Sequence, residues 1–313
     1  MKKVVYNQFG DESVLELVEQ AVPRIEKDQL LIRMKAVSIN PLDWKVYDGE
    51  MKLMSGSKFP KSVGIDFSGV VEQTGSAVTR FKAGDAVMGL LDVFKGGALA
   101  DYVAVKEANI APKPVNISFE KAAALPLTGL SALQIIDQLA AVGPNQDVLI
   151  NGATGGIGIF AVQIAKKRGA RVTTVVSTKG VAEATKWGAD TVVDYTKQPI
   201  KDLHQRFDAV IDLSTKLAFS EAKSLMKPRA VFVSTLPSPL ALIASFLTNL
   251  FSGQKRKILI VKPTTEGLNT LTKLAEADLQ IVLSKIYPLS NVREAYQEAR
   301  RGNIIGKSVI VLN

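Results

Sequence analysis

The sequence contains no cysteine. That absence excludes disulfide bridges, thiolate nucleophiles, iron–sulfur clusters and every zinc site that uses a cysteine ligand. Histidine is almost as scarce: the single His204 stands in the polar stretch KDLHQRFD. No glycine-rich or acidic cluster lies near it, so a histidine-based zinc site or a serine triad has nothing to build on, and His204 is expected at the surface. No metal is expected. No apolar run reaches the ~18 residues that a membrane span requires, and the start MKKVVYNQFGDES turns polar before a secretory apolar core develops. An intracellular, cytoplasmic protein is expected.

At 313 residues the chain exceeds what one hydrophobic core usually supports, which predicts two domains. With 47% apolar and 22% charged residues it has the composition of a globular protein, not of a disordered one. The excess of 39 basic over 30 acidic side chains gives a net charge of +9, enough to attract phosphates or an anionic surface. The basic residues are scattered, and the densest cluster, Lys255, Arg256 and Lys257, lacks the interleaved aromatics of a single-strand nucleic-acid platform. No nucleic-acid partner is expected.

Up to about Glu120 the chain reads as short β segments separated by Gly, Pro and Asp: VLELV, QLLIRMKAVSI, FSGVVEQTG, DAVMGLL and LADYVAV. They predict an antiparallel, barrel-like domain over residues 1–120. Beyond it, apolar helical stretches alternate with buried strand runs, the pattern of a doubly wound parallel sheet over 121–264. Its strands are expected at Asp147–Asn151, Arg171–Val176, Thr191–Asp194, Ala209–Leu213, Ala230–Ser234 and Ile258–Val261. Residues 265–313, a helix, the strand-like QIVLSKIYPL, a second helix and the closing SVIVL, are expected to return to the first domain.

The strongest local signal is DVLINGATGGIGIFAVQIAKKRGARVTTVV, where a buried strand runs through a glycine-rich turn into an apolar helix. Glycines there permit a tight turn and close helix–strand packing, and the free N–H groups of the helix start receive a pyrophosphate. Gly152, Ala153, Thr154, Gly155, Gly156, Ile157 and Gly158 are the candidate cradle. At the end of the next strand an NAD enzyme presents an acid to the ribose 2′-hydroxyl. Here the sequence is VVSTKG, and Ser177 with Lys179 suits a 2′-phosphate, so NADPH is the expected cofactor. The other strand ends, Tyr195, Leu213 with Ser214, and Thr235 with Leu236, are candidates by the rule that ligands of open α/β sheets sit beyond the carboxyl ends of the strands.

Several blocks in a fixed order, SINPLDWK (38–45), GIDFSGVV (64–71), FKAGDAVMG (81–89), GGALADYVAV, AAALPLTGLSALQ (122–134), NGATGGIGIFAVQIAK, WGADTVVDY and GKSVIVL, carry a family pattern. Over essentially its whole length the chain resembles the zinc-independent quinone oxidoreductases, the zeta-crystallin-like branch of the medium-chain dehydrogenase/reductase superfamily. Within it the subgroup with chloroplast envelope and mitochondrial members looks most similar. The resemblance implies a Rossmann domain beside a GroES-like, mostly antiparallel β-barrel domain. Where zinc-dependent relatives carry a cysteine this chain reads SINPLD, and in place of their histidine and acid stand Ile65 and Asp66. The resemblance also implies that Asn40, Asp43 and Tyr47 lie near the nicotinamide and substrate, with Thr128 beside the cofactor. Gly155 to Gly158 would hold the pyrophosphate, Ser177 and Lys179 the 2′-phosphate, and Tyr195 a further cofactor contact. Two departures are Gly180, where relatives often have a polar residue, and Leu213-Ser214-Thr215, which replaces a frequent Val-Gly-Gly.

The implied reaction is metal-free hydride transfer from NADPH to a quinone or an α,β-unsaturated carbonyl compound, whose conjugation spreads the developing charge. Asn40, Lys45, Tyr47 and Thr128 are the candidate donors, Tyr47 or water the proton source, and Asp66 equally a structural carboxylate. Alternatives are a 2-alkenal or enone reductase with little quinone activity, and an NADPH-bound sensor or RNA- or membrane-associated binding protein. The apolar segment within SPLALIASFLTNLFSGQKRK has three placements open to it: on an anionic membrane surface, over the substrate cleft, or buried as the fifth crossover helix. The topological need for a crossover helix favours the last. The sixth strand, KRKILIV, is an edge through which a homodimer is expected.

Overall fold

The computed structural model describes residues 1–235, 239–302 and 304–312. The chain forms two compact units, residues 1–127 with 263–313, and 128–262. The first unit opens with strands β1 (Lys2–Tyr6), β2 (Glu16–Glu19) and β3 (Gln29–Ser38), then helices α1 (Pro41–Tyr47) and α2 (Lys52–Ser55). Strands β4 (Lys61–Ser62), β5 (Asp66–Thr74), β6 (Ala86–Leu90), β7 (Tyr102–Lys106) and β8 (Ile110–Pro112) and helix α3 (Phe119–Ala123) follow. Helix α4 (Pro126–Leu133) runs from this unit into the next.

The second unit contains β9 (Asp147–Asn151), α5 (Gly156–Lys167), β10 (Arg171–Val176), α6 (Val181–Lys186), β11 (Thr191–Asp194), β12 (Phe207–Asp212), α7 (Phe219–Ala222), β13 (Met226–Ser234), α8 (Pro239–Phe251) and β14 (Lys255–Ile258). The chain then returns to the first unit with α9 (Thr265–Ala277), β15 (Leu283–Pro288), α10 (Val292–Arg301) and β16 (Lys307–Val311).

In the first unit β3 is the organising strand. It pairs along one edge with β5, while its other edge is shared by β7 over its first half and β16 over its second, all antiparallel. That double pairing explains its sequence: Leu30, Ile32 and Met34 alternate inward, and from Ala36 onward every residue through Asn40 is buried. The seven-stranded sheet is antiparallel except for the β15–β16 pair, and β1, β2 and β4 form a smaller sheet beside it. Here the sequence misleads in one respect. KKVVY, which is not among the β segments expected from the sequence, is β1, with Val4 and Val5 buried.

The second unit is a six-stranded parallel sheet in the order β11-β10-β9-β12-β13-β14, the doubly wound arrangement in which the strand order reverses beside β9. Leu149, Val175, Val210 and Phe232 make its core. Two expectations are corrected. The sixth strand lies at Lys255–Ile258, not Ile258–Val261, in register with Val231–Ser234. Its three cations can occupy a strand because their heads find carbonyls or rings: Lys255 Nζ donates to Asn249 O and Ser252 O, Lys257 Nζ donates to Leu139 O, and the Arg256 guanidinium lies over Phe219. The second correction is α8. It is the crossover between β13 and β14, but it does not bury its apolar face: Leu240, Phe246, Leu250 and Phe251 are 63–82% exposed.

Because β9 is one of the two central strands of the sheet and Leu149 is fully buried, Leu149→Ala is expected to cost about 2–5 kcal/mol through lost burial plus a residual cavity, measured as a drop in the urea midpoint at unchanged m-value.

Candidate functional site

In the second unit the site is built chiefly from backbone. After β9 the chain turns at Gly152, whose φ of 83° suits glycine, and a Cβ there would stand 3.0 Å from the Ser214 nitrogen. Glycine therefore also lets the segment after β12 close against the turn. Gly155 is the N-cap of α5, and the helix start has neither a side-chain cap nor an acid in its first turn. Its leading N–H groups and positive end are left for an external anion. At Gly158 a Cβ would lie 2.5 Å from the carbonyl oxygens of Gly152 and Ala153, so only glycine lets the helix rest on the turn. Ala153 and Gly158 are buried, Thr154, Gly156 and Ile157 half-buried and Gly155 exposed, so the turn is open on one side, where the diphosphate of a dinucleotide would fit. Unpartnered donors at a glycine turn fit such a cofactor.

Beyond β10, Ser177 is half-buried and Lys179 exposed. Among the described residues Lys179 has no ion-pair partner. Gly180, the departure from the family pattern, has a local reason: a Cβ would lie 2.5 Å from Thr154 Cγ2, so glycine lets this segment close down on the phosphate turn. One acid stands nearby at the end of β11. Asp194 accepts from the Thr178 hydroxyl at 2.7 Å and from the Thr196 hydroxyl and N–H at 2.7 and 3.0 Å. These donors, Thr178 first, hold its carboxyl below the usual carboxylate range. Tyr195, next to it, is 54% exposed.

The ends of β9 and β12 are tied by a polar web absent from the sequence reading. Asn151 Nδ2 donates to the buried Asp212 Oδ1 and to Ser214 Oγ, both at 2.9 Å, and Ser214 Oγ donates to Asp212 Oδ1 at 2.7 Å. Leu213 N donates to Asn151 O at 2.9 Å, and Thr215 follows with φ 60°, an unfavourable region for a β-branched residue. Thr128 is buried in α4, Thr235 is half-buried after β13, and Leu236 lies outside the described residues.

In the first unit the site is a network of buried side chains. N-P-L-D starts α1: Asn40 is the N-cap, Pro41 takes the position that needs no N–H, and Asp43 Oδ2 accepts from the Asn40 N–H at 2.9 Å. The Asn40 amide is turned the other way. Its oxygen accepts from Lys307 Nζ, and its Nδ2 donates to Asp66 Oδ2 at 2.9 Å. An ammonium can only donate and a carboxylate only accept, so these partners fix the orientation of the amide between them. Asp66 also accepts from Ser38 Oγ at 2.9 Å and from Leu127 N at 2.8 Å, and Lys307 donates to Ile39 O at 2.7 Å. Burial pushes the Asp66 carboxyl up and the Lys307 ammonium down, each opposed by the charge of the other.

Asp43 accepts a second bond from Tyr296 at 3.0 Å, and burial pushes its carboxyl up to about 7 against those bonds and Lys307. Among the described residues, the buried Asp43 Oδ1 and Tyr47 hydroxyl find no hydrogen-bond partner. Tyr47 is fully buried, edge-on to Tyr296 at 5.7 Å, and burial raises its phenol. The structure thus gathers Asn40, Asp43 and Tyr47 into one cluster and leaves Lys45 half-buried on the same helix. The sequence reading missed Lys307 and Tyr296 as members; the one available signal was a lysine at the head of the apolar run SVIVL.

Residues 26–115 match the alcohol dehydrogenase GroES-like domain and residues 187–310 the zinc-binding dehydrogenase family. Among the described residues no group of three or more His, Cys, Asp or Glu side chains is arranged to hold a metal ion. The chain is 32% identical to the chloroplastic quinone-oxidoreductase QR1 of Triphysaria versicolor, over 99% of this chain and 98% of that one. It is 37% identical to the chloroplastic NADPH-dependent alkenal/one oxidoreductase of Arabidopsis thaliana, over 68% of this chain and 57% of that one. The solved quinone oxidoreductase of Coxiella burnetii superposes with a TM-score of 0.91 at 32% identity, covering 100% of this chain and 99% of that one. The chain belongs to the zinc-independent quinone oxidoreductases of the medium-chain dehydrogenase/reductase superfamily.

Two measurements examine the buried network. Lys307→Met leaves the Asp66 charge buried without its cation and is expected to cost about 3–5 kcal/mol, whereas Lys307→Met combined with Asp66→Asn should cost clearly less than the sum of the single changes in a denaturation cycle. For Asp43, a folded pKa of about 7 against an ordinary 3.8 means that the folded protein binds the extra proton between those values. Stability is therefore expected to fall as pH rises through that window, and Asp43→Asn should flatten the profile relative to the wild type.

Proposed function

We propose that this protein is an NADPH-dependent reductase that passes hydride to a quinone or another α,β-unsaturated carbonyl compound without a metal. The observation that carries the reading is the pairing of an open, acid-free α5 N-terminus with a β10 end that presents Ser177 and the exposed Lys179 in place of a carboxylate. The alkenal/one relative is itself named as NADPH-dependent, which agrees. When bound, NADPH supplies the hydride. The α5 N–H groups hold the diphosphate, and Ser177 and Lys179 hold the 2′-phosphate that an acid would repel. Conjugated acceptors delocalise the arriving charge, so a few donors suffice where an isolated carbonyl would demand a Lewis acid.

Within the catalytic set we assign different tasks. Lys45, half-buried, meets the developing oxyanion. Asn40 and Asp43 position, because their polar atoms are engaged with Lys307, Asp66 and Tyr296. The proton that completes reduction comes from water or from Tyr47. Reduction of 2-alkenals and enones is the same chemistry on a different acceptor, so the preferred acceptor, not the mechanism, separates the two readings.

Oxidation of NADPH and NADH against a panel of quinones, 2-alkenals and cyclic enones tests this. Turnover with NADPH is expected, and Lys179→Glu should raise the KM for NADPH about tenfold or more while leaving NADH nearly untouched. Tight NADPH binding with no turnover on any acceptor would instead assign the protein a binding role.

A further inference from the structure

Helix α8 has its amphipathic faces reversed. Its polar side chains point inward: Ser245 Oγ donates to Arg256 O, Asn249 Nδ2 donates to the same oxygen at 2.8 Å, and Asn249 Oδ1 accepts from Arg256 N at 2.8 Å. Its apolar side chains point to solvent. Leu240, Ile243, Phe246, Leu247, Leu250 and Phe251 are each 49–82% exposed, a contiguous hydrophobic stripe of the kind that marks an interaction surface. At 13 residues the helix is too short to cross a bilayer, which takes about 20 residues.

The charge that flanks the helix in sequence selects the occupant. Between Glu221 and Glu266 there is no acidic residue, while seven basic ones occur: Lys223, Lys227 and Arg229 before the helix, and Lys255, Arg256, Lys257 and Lys262 after it. Lys227 is paired with Asp147 and Asp208, but Lys223, Arg229 and Lys262 are exposed. Lys255 and Lys257 hold carbonyl oxygens, which satisfies their donors without neutralising their charge. A second copy of this chain is a poor partner for such a face. A two-fold contact would set one predominantly basic segment against another. Strand pairing through β14 is also obstructed, since the outward N–H and C=O of Arg256 are already taken by α8.

We propose that α8 is an interfacial helix that docks the protein on an anionic lipid surface, its apolar stripe at the level of the headgroups and the surrounding lysines and arginines against the lipid charge. The proposal is independent of the acceptor the enzyme reduces.

Flotation of the full-length protein with vesicles of phosphatidylcholine, with and without phosphatidylglycerol, tests it. Wild-type protein is expected to float with the anionic vesicles alone and to be released by added salt. Phe246→Glu with Leu250→Glu, both on the exposed stripe, should weaken flotation about tenfold or more with the thermal midpoint unchanged. Lys223→Glu with Arg229→Glu should weaken it through charge alone. The proposal is overturned by wild-type protein that stays with the soluble fraction, by variants that float as well as wild type, or by a wild-type dimer that ignores vesicles and that the stripe variant converts to monomer.

Discussion

The first unit depends on one buried cation. Lys307 enters the structure at the head of the last strand, where β16 lies antiparallel to the end of β3, and its ammonium reaches Ile39 O and the Asn40 amide. From there the constraint passes through Asn40 to Asp66, and through the Asn40 backbone to Asp43 and Tyr296. A buried carboxylate without a cation is strongly disfavoured, and a buried lysine without acceptors equally so. The last strand, the turn into α1, the start of β5 and α10 therefore hold one another in a single arrangement. At Asp43 burial outweighs the bonds from Asn40 and Tyr296 and the charge of Lys307, and raises its carboxyl.

The two units build their candidate sites from different materials. The second uses backbone: a glycine turn, an uncapped helix start and a lysine in solvent, all supplied by the local sequence of one βαβ segment. The first uses side chains brought from residues 38 to 307, each placed by tertiary packing. A backbone cradle tolerates any sequence that keeps its glycines. A buried side-chain network does not, because removing one member strands the rest.

That difference explains what could be read in advance. The parallel sheet and its first three strands, to the residue, follow from local periodicity and spacing, and the structure agrees at each. Asn40, Asp43 and Tyr47 were reachable through family resemblance, yet their partners were not. A lysine at the head of SVIVL does not by itself say what its ammonium will reach, and nothing near DAVID says that Asp212 will receive Asn151 from the end of β9. Strand β1 was missed for a related reason. Its lysines sit at its first two positions and give the segment a polar look, although Val4 and Val5 behind them are core.

Helix α8 shows where periodicity gives the right element and the wrong face. An apolar stretch between two parallel strands argues for a buried crossover, and the crossover is there. What decides its orientation is the strand it covers. β14 is the edge of the sheet, and an edge residue such as Arg256 carries an N–H and a C=O with no neighbouring strand to receive them. Ser245 and Asn249, one turn apart, supply the missing partners. Once those two side chains face the edge, helical geometry sends Phe246 and Leu247 between them, and Leu250 and Phe251 beyond, outward. The exposed stripe is thus a consequence of satisfying an unpaired backbone.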